Sequence, residues 1–338
     1  MIKFLMVMMV IMGVNASGEA RDHNHDAHKA LCDLMKAAVA KLGSNSASNA
    51  MKEALHQTIF GNKSGGNLDA LKGALPKEYY DGESRDGDRG LWCGQPFEDS
   101  HQLSNKGQPR WPGHSGPHDL LCLCTVGQGG FPLNKSEESN MDTLCGKNRD
   151  SLVGSGGTGW GDSGNKAESQ LKATWDNVIK ECLNGVQGKG LKETLENFLG
   201  KLKHNPDTAY KTRYRLGEGN VTIYAACNGT PQLGDCVMYY NATKPLPWWT
   251  ELEKALPEEE KFQQQKQREE EEKRKQQEQA AKQDSPKAET LTSTPQTTNQ
   301  TEASNKDNIT DKLRRYNLTS GTHISQPTSW LLSVAILI

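Results

Sequence analysis

Apolar side chains in residues 22–60 recur at intervals of three and four, which places them on one face of an α-helix. The positions are Ala27, Leu31, Leu34, Met35, Ala38, Leu42, Met51, Ala54, Leu55 and Ile59. Residues 43–46, with the sequence Gly-Ser-Asn-Ser, are expected to kink this helix or split it. A continuous helix would be on the order of 55 Å long, at about 1.5 Å per residue.

Two later segments repeat the helical spacing. The first contains Leu171, Trp175, Val178, Ile179, Cys182, Leu183 and Val186, and the second contains Leu191, Leu195, Phe198, Leu199 and Leu202. Each apolar stripe needs a partner, and the simplest partner is the first helix, running antiparallel. The pattern therefore predicts a mainly α fold built on a long antiparallel helical hairpin of coiled-coil type.

Residues 61–167 are rich in Gly, Pro, Asp, Ser and His and contain only isolated large apolar side chains. This composition predicts a loop-rich lobe that is stapled by disulfides rather than by a large core. Residues 204–247 are also irregular, with two short runs typical of β-strands at 221–224 and 237–240.

The predicted helical ectodomain covers residues 17–256, and Leu256 is its last packed residue. Residues 257–283 are mostly Glu, Gln, Lys and Arg and cannot form a core, so they predict a solvated helix. Residues 284–319 are dominated by Thr, Ser, Asn, Pro and Gln, which predicts a disordered segment. We interpret residues 257–320 as a low-complexity stalk.

The N-terminal segment has the pattern of a signal peptide. Lys3 is followed by about ten apolar residues, a run too short to cross roughly 30 Å of hydrocarbon, and then by small residues. We expect cleavage after Ala16, with Gly18 as the alternative, so that residues 1–16 are removed.

The C-terminal segment has the pattern of a glycosylphosphatidylinositol (GPI) attachment site. Three small residues at 320–322 are followed by a polar spacer and by an apolar tail over residues 330–338. We expect the lipid to be joined to Ser320, with Gly321 as the alternative, and residues 321–338 to be removed on maturation.

An even number of cysteines in an exported chain implies disulfides. They are Cys32, Cys93, Cys122, Cys124, Cys145, Cys182, Cys227 and Cys236. Eight cysteines allow about 105 connectivities. The spacing leaves the pairing open, except that Cys122 and Cys124 are not expected to pair with each other.

Asn-x-Ser/Thr sequences, the acceptors of N-linked glycans, recur along the chain. They begin at Asn62, Asn134, Asn220, Asn228, Asn241, Asn299, Asn308 and Asn317. The formal net charge is −2 and no compact basic patch stands out, so nucleic acid is not expected as a partner.

Several motifs could indicate chemistry, and each has a simpler explanation. Gly-Asp-Ser-Gly at 161–164 resembles the nucleophile motif of chymotrypsin-like proteases, but Ser163 lacks the β-barrel context and a suitable histidine. Residues 154–159 satisfy the glycine pattern of nucleotide-binding loops without the flanking strand and helix. Residues 81–88 lack the ligand spacing of a calcium loop.

Two groups of side chains have types that bind zinc. His23, His25 and His28 lie beside two aspartates, and Cys122-x-Cys124 follows His114 and His118. In an oxidising compartment the cysteines are better explained as disulfides and the N-terminal histidines as the polar start of a helix. We therefore expect no metal, no cofactor, no small-molecule substrate and no enzymatic activity.

The chain resembles the variant surface glycoproteins of African trypanosomes, most closely the short forms without a cysteine-rich C-terminal domain. The resemblance is carried by residues 22–39, 111–114, 121–124 and 175–182 and by Gly-Asp-Cys at 234–236. It implies an elongated helical ectodomain, commonly a homodimer, held on the outer face of the cell membrane by a GPI anchor. It also implies a dense coat that meets host antibodies and evades them by antigenic variation. A receptor on the same scaffold, of the transferrin-receptor type, is the alternative.

Overall fold

The computed structural model describes residues 20–44, 46–80, 88–97, 109–133, 141–153, 159–161, 167–185, 188–220 and 226–283. The chain divides into two compact units, Met1–Glu278 and Gln279–Ile338, and the contacts below belong to the first. Within the described part of the chain, no helix combines the length and the apolar character needed to cross a membrane.

The first predicted helix is split in two. Helix α1 spans His25–Gly43 and helix α2 spans Asn49–Phe60. The Ser48 side chain caps α2 by accepting a hydrogen bond from the Met51 amide. The expected apolar face is buried in both helices, and the expected break at residues 43–46 is a split rather than a kink, since α1 ends at Gly43 and a new N-cap starts α2.

Helix α8, Leu191–Leu199, runs antiparallel to α1. Two ion pairs fix this direction: Lys189 at the start of α8 reaches Asp33, and Lys201 just past its end reaches Asp26. The predicted mainly α fold is therefore confirmed, and the third apolar stripe has the antiparallel partner that its pattern required.

Helix α9, Trp248–Gln283, completes a four-helix arrangement. It runs antiparallel to α2, because Glu251 pairs with Lys63 beyond the end of α2 and Glu259 accepts from the Ser48 amide at its start. It also runs antiparallel to α8, since Trp248 packs on Phe198 and Glu260 pairs with Lys192. Helices α1 and α9 thus point one way, and α2 and α8 the other.

The packed part of α9 extends past Leu256, where the sequence placed its end. Glu259 is buried and pairs with Lys41, and Gln263 donates a hydrogen bond to the carbonyl of Ser46. This stretch of α9 packs through polar contacts. The apolar pattern therefore placed the end of the packed part of α9 before these contacts. From residue 264 to 281 the side chains of α9 are exposed.

The second predicted stripe forms one helical segment with a π turn. It consists of α6, Glu168–Thr174, a π-helical turn over Trp175–Ile179, and α7, Lys180–Cys182. Its buried face carries Leu171 and Trp175, as the spacing predicted.

The loop-rich lobe contains a buried helix, which corrects the expectation that disulfides rather than a core hold it. Helix α4, Gly116–Cys124, is buried at all nine positions. Its direction is opposite to that of α1, because Gly116 lies against Met35 whereas the Leu123 carbonyl accepts from Asn24. A helix buried on every side shows no amphipathic period, so the sequence pattern could not reveal it.

The other described helical elements of the lobe are short. They are α3, Leu68–Gly73, α5, Arg149–Val153, the 3₁₀ turns Lys77–Tyr79 and Gln128–Gly130, and a π turn at Gly90–Gly94. Because none of these elements exceeds six residues, the predicted loop-rich character is otherwise retained.

The strands of the described residues form two small sheets beside the helices. Strand β1, Asp22–His23, pairs in parallel with β2, Thr143–Leu144, and an antiparallel sheet is formed by β3, Lys203–His204, β4, Arg213–Glu218, and β5, Asp235–Tyr240. The predicted strand at 237–240 lies within β5, and the one at 221–224 lies outside the described residues.

Candidate functional surface

Four disulfides pair the eight cysteines, which confirms the expectation of disulfide bonding. The pairs are Cys32–Cys182, Cys93–Cys122, Cys124–Cys145 and Cys227–Cys236. The first joins α1 to α7, and the second and third anchor both ends of the Cys-x-Cys motif to different segments. The disulfides therefore connect helices and the lobe to one another, and no free thiol is present among the described residues.

The N-terminal histidines do not converge on a common point. His25 lies 2.6 Å from the Asp22 carboxylate, and His23 lies 2.9 Å from that of Glu218. His28 faces Cys182 instead, and burial lowers its pKa to about 4. The three rings serve separate contacts at the start of α1 and do not form a metal site.

The side chains of the second zinc candidate, Cys122, Cys124 and His118, are engaged in disulfides and hydrogen bonds. Cys122 and Cys124 lie in disulfides, whose sulfur atoms are not the thiolates that bind zinc. His118 contacts the Tyr79 hydroxyl at 2.7 Å and the Trp92 carbonyl at 3.0 Å. Two groups of described residues have ligand spacing, His28 with Cys32 and Cys182 and His118 with Cys93 and Cys122, and each contains a disulfide.

The glycine-rich motifs are described only in part. Ser163, residues 154–158 and residues 81–87 lie outside the described residues. Gly159 packs directly on backbone, since a Cβ there would lie 1.7 Å from the Gly127 carbonyl oxygen. Trp160 is fully buried, and its amide donates to the Val126 carbonyl. This end of the motif is thus a packing element of the lobe.

Sequence reasoning missed a buried carboxyl group at the centre of the fold. The Asp119 side chain on α4 accepts hydrogen bonds from the Tyr239 hydroxyl at 2.9 Å, the Trp248 Nε1 at 2.7 Å and the Gly113 amide at 3.0 Å. Burial raises the pKa of Asp119 to about 7, although the hydrogen bonds from these three donors act to lower it. Asp119 ties together α4, β5 and α9.

A second missed feature is a fully buried ion pair. Arg89 Nη2 lies 2.8 Å from the Asp235 carboxylate, and the guanidinium also donates to the carbonyls of Cys122 and Thr125. Burial raises the pKa of Asp235 to about 7, although Arg89 acts in the opposite direction. The pair links the segment before the π turn to α4 and to β5.

Buried ionisable groups with shifted pKa values are typical of active sites, but these groups form hydrogen bonds and an ion pair within the protein core. Asp119, Arg89 and Asp235 are at most 2% exposed. Their partners are groups of the protein itself, and none of the three lines a groove found among the described residues. The arrangement can cross-link the core, but it gives a substrate no access.

The predicted glycosylation sites differ in exposure. Asn62 and Asn220 are exposed, whereas Asn228 and Asn241 are half-buried. The Asn228 side-chain oxygen accepts a hydrogen bond from Thr230 of its own sequon. Asn134, Asn299, Asn308 and Asn317 lie outside the described residues, as do Ser320 and Gly321 and residues 1–16.

Comparison with known families identifies the fold. Residues 36–278 match the model of the trypanosomal VSG domain, which covers well over half of the chain. The chain belongs to the trypanosomal VSG domain family. No curated protein sequence matches the chain. The VSG family is a family of structural surface coat proteins and not of enzymes, which agrees with the closed setting of the buried acids.

The match accounts for both the helices and the lobe as parts of one VSG domain. It begins within α1, at residue 36, includes α2 and α8 in full, and ends within α9, at residue 278. The match therefore includes most of the stretch of α9 whose side chains are exposed.

Proposed function

We propose that the chain is a GPI-anchored variant surface glycoprotein of the trypanosome coat. The single observation that carries the proposal is the match of residues 36–278 to the VSG domain. The expected GPI attachment at Ser320 would place the C-terminus at the outer face of the cell membrane. The protein would then act as a physical barrier, and its exchange for another variant would defeat host antibodies.

The direction of α9 supports an orientation for the domain. Beyond Gln263, α9 leaves the four-helix arrangement at the end that carries the α1–α2 turn. Gly129 of the lobe follows the end of α4, which lies beside Asn24 at the opposite end of α1. A chain anchored at its C-terminus would thus have the α1–α2 turn towards the membrane and the lobe away from it.

Loop residues of the lobe would carry the antigenic identity. Exposed substitutions change stability by about 0.5 kcal/mol or less, whereas removing a buried Leu or Met costs roughly 2–5 kcal/mol. The helical faces can therefore vary little, and the outer loops can vary widely. A homodimer, in which two copies share a helical surface, would further shield the helices.

Release by phospholipase tests the proposal. Live cells that express the chain are treated with a phosphatidylinositol-specific phospholipase C, and the released protein is analysed by mass spectrometry of its C-terminal peptide. We expect release of the chain, ending at Ser320 or Gly321 with a glycan remnant. A mature chain that resists release and still contains residues 330–338 would refute the GPI anchor.

A further inference from the structure

The Asn62 sequon lies beside a groove that is lined by both apolar and hydrogen-bonding side chains. The groove has a volume of about 600 Å³ and is lined by Gln57, Lys63, Phe97, Lys244, Pro245, Leu246 and Glu251. Three of these side chains are apolar and four can form hydrogen bonds. Sugars also combine apolar and hydrogen-bonding surface, since their C–H faces pack on aromatic and proline rings while their hydroxyls need polar partners.

The backbone holds Asn62 at the edge of this groove. Gly61 caps the end of helix α2 with a φ of +78°, and a Cβ at that position would lie 1.9 Å from the His114 ring. Only glycine fits there, so the chain always turns at the same point. Asn62 follows directly and is exposed, and its neighbour Lys63 is part of the groove wall.

The walls of the groove are pre-organised by contacts within the protein. Lys63 Nζ lies 3.0 Å from the Glu251 carboxylate, and Gln57 donates to the His114 carbonyl at 3.3 Å. The half-buried Phe97 ring packs edge-on against Trp111, with the ring centres 4.9 Å apart. A ligand therefore meets a surface that needs little ordering on binding.

The other described sequons lack this combination of exposure and an adjoining groove, although the sequon at Asn241 directly precedes Lys244 of the same groove. The Asn228 side chain is engaged by Thr230, and the side-chain oxygen of Asn241 is buried without a hydrogen-bond partner among the described residues. Asn220 is exposed, but it is not next to a groove-lining residue. Asn62 is therefore distinguished by exposure together with an adjoining amphipathic groove.

We propose that Asn62 carries an N-linked oligosaccharide whose innermost N-acetylglucosamine residues pack in this groove against Phe97 and Pro245. The volume lies within the roughly 300–1,000 Å³ of small-molecule sites, which suits the inner sugars and not a whole branched glycan. The packed sugars cover the seam between the end of α2 and the start of α9. The inference rests on the proposed export of the chain, because N-glycans are added in the secretory pathway.

The test uses the full chain produced in cells that add N-glycans. Glycopeptide mass spectrometry measures occupancy at Asn62, and peptide N-glycosidase releases the glycan from native and from unfolded protein. We expect release from the native protein to be several-fold slower than from the unfolded protein. Phe97→Ala should abolish this protection, whereas Phe262→Ala, the same change on the exposed part of α9, should leave it intact.

A second measurement covers the case in which Phe97→Ala does not fold. Ser64→Ala removes the sequon while leaving Asn62 in place, and hydrogen exchange of residues 244–251 should then become faster than in the glycosylated parent. An unmodified Asn62 beside other occupied sequons, or equal release rates from native and unfolded protein, would overturn this inference alone. A secreted chain without any occupied sequon would also contradict the proposed surface glycoprotein.

Discussion

Lys41 Nζ lies 2.6 Å from the Glu259 carboxylate, so the end of α1 is ion-paired with α9 beyond Leu256. Glu259 also accepts from the Ser48 amide that begins α2, at 2.8 Å. Burial opposes ionisation of this group, but the hydrogen bonds from Lys41, the Ser48 amide and Gln263 outweigh it and lower the pKa of Glu259 to about 2. One carboxylate therefore joins three helices at the end of the bundle from which α9 departs.

Glu259→Gln is expected to lower the free energy of unfolding by about 1–3 kcal/mol at pH 7, because charge-assisted hydrogen bonds are lost from a buried group. The contribution is present above the unfolded-state pKa and is lost as the pH falls through the folded-state pKa of about 2. Urea unfolding at pH 7, 4 and 2 measures it. The exposed neighbour Glu258→Gln is the control, and a deficit that persists unchanged at pH 2 would contradict this role.

Asp119→Ala should destabilise the domain by about 2–5 kcal/mol, because it leaves the Tyr239 hydroxyl and the Trp248 Nε1 buried without their acceptor. Tyr239→Phe removes only one donor and should cost about 1 kcal/mol. Chemical denaturation of both single variants and the double variant measures the coupling. Strictly additive losses would show that Asp119 and Tyr239 do not act together.

Arg89→Met should cost about 3–5 kcal/mol at pH 8.5, because it leaves an ionised, unpaired Asp235 in the core. Burial raises the pKa of Asp235, and loss of Arg89 raises it further, so the carboxyl group takes up a proton as the pH falls and the deficit should shrink between pH 8.5 and pH 5.5. The exposed Arg149→Met serves as the control. A deficit that grows on acidification would have the wrong sign for this explanation.

The disulfides should differ in their effect on stability according to the loop each closes. Cys32–Cys182 spans a sequence separation of 150 and Cys227–Cys236 one of 9. Loop-closure entropy predicts losses of about 5 and about 2.5 kcal/mol when each pair is replaced by alanine. Thermal unfolding of the two double variants compares them, and alkylation of the denatured, unreduced parent should label no cysteine. A larger loss for the short loop would contradict the entropic explanation.

The sequence predicted the amphipathic helices, which have one buried face and one solvent-exposed face. Helices α1, α2 and α8 show this because each keeps a polar face towards solvent, so that their buried apolar residues, such as Leu31, Leu55 and Leu195, recur at helical spacing. The break between α1 and α2 was visible in the Gly-Ser-Asn-Ser segment. Whether the helix kinks or splits there depends on tertiary contacts. Glu259, which accepts from the first amide of the new N-cap, lies more than 200 residues away in sequence.

The missed features depend on long-range contacts. Strand β4 contains Gly217 and Glu218, which are poor strand formers, and its conformation comes from pairing with β5. Arg89 lies in a polar stretch of sequence and Asp119 directly precedes the apolar run at 120–124, and only the fold brings their partners to them. The zinc candidates illustrate the converse, because local spacing grouped ligand types that the fold uses in disulfides and in separate hydrogen bonds. Ser163 of the protease motif lies outside the described residues.

Accessibility on intact cells tests the proposed coat and its orientation most directly. A short epitope tag is inserted at Gly129 in the lobe or at Gly188 before α8, two exposed glycines with open space around them. Binding of the same anti-tag Fab is then measured on live cells and after phospholipase release. We expect the Gly129 tag to bind on live cells and the Gly188 tag to bind only after release. Equal binding of both tags on intact cells would contradict a dense, C-terminally anchored coat with the lobe facing outwards.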